Sequence, residues 1–354
     1  MGATAAPATA PQERGWPRVL LALAAFLLLP GMPFLSAFVP VRETVMLVFP
    51  AMAACALVGW WRGGRFALAL VWTAGTVWLF RSVLAAVPGA YLTLVGGWAV
   101  LVAATFGGMS LVARETRFFP RALAAVALAT VVGLVIVARR PGGGEALTRT
   151  LAAQLDARNA TAMALARNAV RDQPAALREA LARTVPSGQV VQELEHAAGQ
   201  AARATLAVFP AVVALQSLAA LALAWGLYHR LSRARVGAPL SPLKEFRFND
   251  QLVWGLIVAI VAAFLDTLEG FAAVGRNLLV FFAALYALRG YGVLAWYLSP
   301  RRLVLVLAAV AVLLFLPLLN TLAALALMAL TVAAFGLGLS DTWNDWRRLA
   351  RGTP

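Results

Sequence analysis

Apolar runs recur from one end of the chain to the other, separated by short polar gaps, and the gaps alternate in charge. The runs cover 18–39, 44–61, 66–87, 91–112, 121–138, 204–228, 251–270, 276–298, 303–318 and 321–338. Most approach the roughly 20 residues that a helix needs to cross a hydrocarbon core of about 30 Å. Backbone groups in lipid must pair within the segment, so the expected fold class is all-α. The chain reads as a polytopic integral membrane helix bundle of about ten transmembrane helices. Alternating strands of about ten residues, which a membrane barrel would need, are missing. A single helix over 303–338 would reach about 54 Å at 1.5 Å per residue. Pro317 and Asn320 break it, which predicts a hairpin.

Positive charge orients the predicted bundle. Arg14 and Arg18 precede the first run, and Arg62 and Arg65 follow the second. Arg114, Arg117 and Arg121 follow the fourth, and Arg230, Arg233, Arg235, Lys244 and Arg247 follow the sixth. Arg301 and Arg302 follow the eighth, and Arg347, Arg348 and Arg351 follow the tenth. Arg42 and Arg276 are nearly all that the opposite short gaps hold. The expected location is a bacterial cytoplasmic (inner) membrane, with both termini cytoplasmic. Trp60, Trp61, Trp225, Tyr228, Trp296 and Tyr297 precede the basic gaps, where an interfacial aromatic belt belongs.

One long stretch, 139–203, is not a membrane run, and the alternation puts it outside. Leu147, Leu151, Leu155, Met163, Ala166 and Val170 recur near helical spacing among mixed charges, which predicts an amphipathic helical cap. Pro174 is placed to start a second helix, and Ser187 to cap a third. The expected organisation is a disordered N-terminus over 1–17, a five-span bundle over 18–138, the cap over 139–203, a second bundle over 204–338 and a tail over 339–354. Pro30 and Pro33 interrupt the first run. That run lacks an A-x-A cleavage site, so it reads as a retained span.

Composition sharpens this picture. Hydrophobic residues make up 62% of the chain and charged residues 13%, against about 25% charged in a soluble domain. The lipid bilayer is therefore the main partner. The net charge of +15 serves topology and anionic headgroups, and nucleic acid is not expected. Cys55 is the only cysteine, which excludes an internal disulfide.

Enzyme signatures are absent. His196 and His229 form no metal pair, and there is no phosphate-binding G-x-x-x-x-G-K loop and no G-x-S-x-G elbow. The chain is not expected to be an enzyme, and no cofactor or metal is expected. Ionisable groups near apolar runs are the better lead, because each is costly unless paired or hydrated. Asp266, Glu269, Arg276 and Asn277 cluster about one predicted outer turn. They read either as a salt-bridged turn or as a vestibule that contacts a small solute. Arg289 lies about 20 Å further along the same helix at 1.5 Å per residue. It needs a carboxylate, carbonyls, an anion or water. Near the end of the chain, Asp341 is expected to pair with Arg247 or Arg301.

The segment Leu243 to Trp254, with Phe246, Arg247 and Trp254, resembles the F-R-x-P-x-x-L-V-W stretch of the YybS-like bacterial membrane proteins. Asn249 replaces the proline of that pattern. Asn277 with Gly290 or Gly292 matches the family's Asn-initiated span, and Gly338, Asp341, Trp343, Trp346 and Arg347 match its G-x-x-D-x-W-x-x-[FW]-R ending. The resemblance covers roughly 205–348. It implies a fold similar to the substrate-binding membrane subunits of energy-coupling-factor transporters, and hence a binder or permease of a small molecule. Ala22, Ala24 and Ala25 do not give the A-x-x-x-A spacing by which such subunits dock their transporter. The leading expectation is small-solute binding or transport. The alternative is a scaffold or assembly factor that recruits membrane or envelope proteins.

Overall fold

The computed structural model describes residues 16–31, 39–86, 89–113, 115–171, 203–232, 235–265, 271–299 and 320–349, together with Gln200, Arg302, 304–306 and 308–309. The described residues are helical, with no strand among them. Eleven α-helices follow in order: α1 (Trp16–Leu28), α2 (Val45–Trp61), α3 (Phe66–Ala86), α4 (Ala90–Val112), α5 (Phe118–Ala138), α6 (Gly143–Arg171), α7 (Phe209–Leu231), α8 (Leu252–Phe264), α9 (Ala272–Leu298), α10 (Asn320–Asn344) and α11 (Trp346–Leu349). α3, α4, α5, α7, α9 and the Leu325–Asn344 part of α10 are long and apolar enough to cross a membrane. α1, α2 and α8 are shorter apolar helices. This is an all-α membrane bundle. Most of the expected span 303–318 lies outside the described residues.

The chain divides into two compact units. The first contains α1 to α4, most of α5 and the part of α7 from Ala219 onward. α2 is its centre. Met46, Met52, Cys55 and Ala56 are almost fully buried although α2 carries Pro50, as befits a helix that is apolar all round. α3 and α4 pack on it. α3 leaves Leu70, Val71 and Trp78 outward, a surface for lipid rather than water. α1 ends at Leu28 and passes into a 3-10 turn over Leu29–Gly31. Pro30, which has no N–H to continue a helix, accounts for that stop.

The second unit contains α6, the start of α7 and α8 to α11. α6 is one 29-residue helix whose Leu151 and Leu155 are buried while Glu145 and Asp156 stay exposed. Of the expected apolar positions, Met163, Ala166 and Val170 have side chains outside the described ones. The expected second and third cap helices, at Pro174 and Ser187, lie outside the described residues. α8 and α9 run antiparallel, with Gly255 against Phe282 and Gly275 against Ala262 and Ala263. α9 and α10 are antiparallel as well, with Tyr291 meeting Thr331, Gly290 meeting Ala334 and Tyr286 meeting Gly338. An uninterrupted ten-span order would run these last two helices the same way. The number of crossings between them depends on 299–319.

Candidate functional site

Two glycines bring the polar groups of the second unit together. A Cβ on Gly290 or on Gly338 would collide with the carbonyl of Ala334 or of Tyr286, so α9 and α10 touch backbone to backbone. That approach sets Arg289 of α9 beside Asp341 of α10. Arg289 Nε donates to Asp341 Oδ2 at 2.9 Å, and Arg289 Nη2 donates to the Asp341 carbonyl at 2.9 Å. Arg289 Nη1 donates to Asp250 Oδ1 at 2.6 Å, from the segment that leads into α8. The guanidinium also lies 5.4 Å over the ring of Phe248, which packs edge-on against Tyr286.

Two further arginines close the cluster. Arg247 pairs with Asp345 and reaches Asp341 Oδ1 at 3.8 Å. Arg347 Nη2 donates to the Phe246 carbonyl at 3.0 Å, and lies 3.9 Å from Asp341 Oδ2. Asp345 has φ 39°, which ends α10 and turns α11 back. Trp346 and Arg347 thereby come beside Tyr297 and Phe246. Burial holds the Arg347 guanidinium below its ordinary pKa, and the neighbouring Asp341 opposes that shift.

The result is Arg247, Arg289 and Arg347 against Asp250, Asp341 and Asp345, with no net charge. Arg289 and Asp341 are buried, while the Asp250 side chain is 61% exposed. A buried ion pair of this kind is stable only when the remaining donors and acceptors are also satisfied. Here Asp341 faces three guanidinium groups, yet its Oδ1 and the Nε of Arg347 make no hydrogen bond. The open members are Asp250 and Arg247.

Of the residues singled out from sequence, Arg289, Phe246, Arg247, Asp341 and Arg347 meet here. Trp254 does not, being exposed on α8. Asn277 sits near the other end of α9. Its Nδ2 donates to the carbonyls of Ala207 and Ala273, and its Oδ1 accepts from the Ala211 N–H. Arg276 is exposed beside it. Asp266 and Glu269 lie outside the described residues, as does Arg301. Sequence reading did not single out Asp250 or Asp345. Asp250 stands four residues after Phe246 in a segment already read as a motif, and that adjacency was the available signal.

The first unit corrects three other readings. Arg121, counted with the topology-setting arginines, is 1% exposed within α5. Trp225 and Tyr228, expected in an interfacial belt, are core residues. Trp225 packs edge-on against Phe106 at 5.8 Å, and a Cβ on Gly59 would meet the Tyr228 ring. Tertiary neighbours claim these rings before headgroups can. Trp60, Trp61 and Tyr297 remain exposed.

Among the described residues, no group of three His, Cys, Asp or Glu is placed to hold a metal ion. Fold and site together define a polytopic helical membrane protein with a charge-balanced ion cluster inside one unit. The chain belongs to the family described as predicted membrane protein (DUF2232), whose model matches residues 22–337. That match includes Arg121, Arg247, Asp250 and Arg289 and stops short of Asp341. No curated protein matches the chain, and no solved structure does.

Proposed function

We propose that the protein binds a small solute and carries it across a bacterial inner membrane, and that the Arg289 cluster is where an acceptor group of the solute engages. The observation that carries this reading is the unequal burial of the two carboxylates on one guanidinium. Asp341 holds Nε and Nη2 from a buried position, while Asp250 holds Nη1 from an exposed one. Water reaches the Asp250 carboxylate and screens its half of the pair, while the guanidinium stays buried. A solute carboxylate or comparable acceptor can therefore displace Asp250 from Nη1 while Asp341 keeps Arg289 in place. Arg276, Asn277, Asp266 and Glu269 would then serve a second contact zone toward the other end of α9.

The resemblance to YybS-like proteins, and through it to energy-coupling-factor subunits, points the same way. Cytoplasmic termini are part of the proposal. They are supported by the alternating arginines. The protein performs no catalytic step in this reading and takes no cofactor.

The test is flux of radiolabelled amino acids, carboxylates and nucleosides into proteoliposomes. One class should cross faster than into empty vesicles, and Arg289→Leu should abolish that excess in a protein that still folds. Asp250→Asn, which removes the competing charge, should raise apparent affinity. If no class exceeds the empty-vesicle rate, the reading fails.

A second reading, a scaffold that recruits envelope proteins, draws on α6, whose charged face covers a helix too polar to be a span. Deleting 145–200 would remove crosslinked partners if it holds and leave solute flux intact.

A further inference from the structure

Within the first unit a second buried guanidinium has no counter-ion among the described residues. Arg121 is 1% exposed, yet no carboxylate among the described residues pairs with it. Its Nη2 donates to the Thr116 carbonyl at 2.7 Å, and its guanidinium lies 4.8 Å over the Trp225 ring. Nε and Nη1 have no partner. Gly237, at φ +73°, passes so close that a Cβ there would sit 3.1 Å from Arg121 Nη2.

The surroundings add positive charge. His229 packs 4.8 Å from Trp225 and donates to the Val236 backbone, so its open Nε2 is an acceptor. The charges of Arg121, Arg230 and Arg235 all reach it. Ser110, one turn beyond Phe106 on α4, is buried with its hydroxyl unpartnered. Glu115, the acidic side chain of the α4–α5 connector, is exposed. That connector lines an open hollow of about 530 Å³ formed by Leu111, Val112, Ala113, Glu115 and Thr116. Thr116 thus belongs both to the hollow and to the Arg121 contact.

Buried cations in membrane proteins require a compensating partner, and aromatic and carbonyl contacts leave the formal charge standing. We propose that Arg121, through its unpartnered Nε and Nη1, forms a binding site for a phosphate oxyanion. The site lies where α4 ends, α5 begins and α7 ends, the depth of a headgroup. Basic pockets between helix ends suit lipid phosphates in this way. The chemistry is shared by an anionic lipid headgroup and by free phosphate. It is independent of the reading given for the Arg289 cluster.

The test uses the full chain, purified in neutral detergent. Native mass spectrometry with dioleoyl phosphatidylglycerol against the phosphatidylcholine equivalent reads the lipid arm. Thermal unfolding with and without inorganic phosphate, in lipid-free detergent, reads the ion arm. The expected result is retention of one phosphatidylglycerol with a preference of about five- to tenfold, lost in Arg121→Gln and kept in the surface control Arg65→Gln. Stabilisation by phosphate without lipid preference would assign the site to the free ion, which also supports the proposal. Equal losses in Arg121→Gln and Arg65→Gln would overturn it, since general surface charge would then be the cause. Should Arg121→Gln not fold, the wild type decides alone: if it shows no lipid preference and no phosphate stabilisation, the site is overturned.

Discussion

Arg289 and Arg121 are equally buried, each 1% exposed, but their surroundings differ. Arg289 stands among three aspartates and two further arginines, and the cluster is neutral. Arg121 stands on a tryptophan face and one carbonyl, among other basic groups. The first arrangement uses its charge internally, with Asp250 its most exposed carboxylate. The second keeps its charge available. Equal burial therefore does not mean equal role: what faces the guanidinium decides whether it holds helices together or holds a ligand.

The contrast is open to direct attack. Asp341→Ala should be the most damaging change. It strands Arg289 and Arg347 in a buried place, where removing one partner costs about 3–5 kcal/mol. Unfolding of the purified protein in detergent would read it, and a loss under about 1 kcal/mol would show that the cluster is not a structural tie. The double replacement Arg289→Met with Asp341→Leu should recover part of that loss, because apolar replacements of similar volume are often tolerated. A double-mutant cycle reads the coupling.

Next comes Gly290→Ala, whose Cβ meets the Ala334 carbonyl. Overpacking of this kind costs about 1–3 kcal/mol, and the same unfolding measurement should register it. Arg121→Met should fall within about 1 kcal/mol of the wild type, since removing an uncompensated charge offsets the lost aromatic contact. A loss as large as that of Asp341→Ala would mean that Arg121 is held as tightly as Arg289. The smallest effect is expected for Arg247→Ala. Its side chain is 40% exposed, and such pairs contribute about 0.2–1 kcal/mol, screened further by salt. An unfolding shift that grows at high salt would contradict that view.

Hydropathy periodicity identified the helices at Phe66–Ala86, Ala90–Val112 and Phe118–Ala138 within a few residues, because the bilayer demands length and apolarity locally. The break at Pro30 was legible for the same reason, since a missing N–H acts on its own turn. Asp341 pairing with Arg247 was also legible, as a choice among nearby basic groups. Arg121 was not. An arginine at the start of an apolar run looks the same whether it meets headgroups or turns inward onto Trp225, and α7 lies a hundred residues away in sequence. Asp250 was missed likewise, because a carboxylate before a span carries no local sign of a partner 39 residues on.

Sequence by itself determined the solvent, the helical state and the alternating charge, since each follows from residues within one or two turns of one another. Only the tertiary structure decided which arginine is compensated and which is not. That depends on close backbone approach at Gly290 and Gly338 and on the fold of α7 against α5. Both are contacts between distant segments, set by shape rather than by composition.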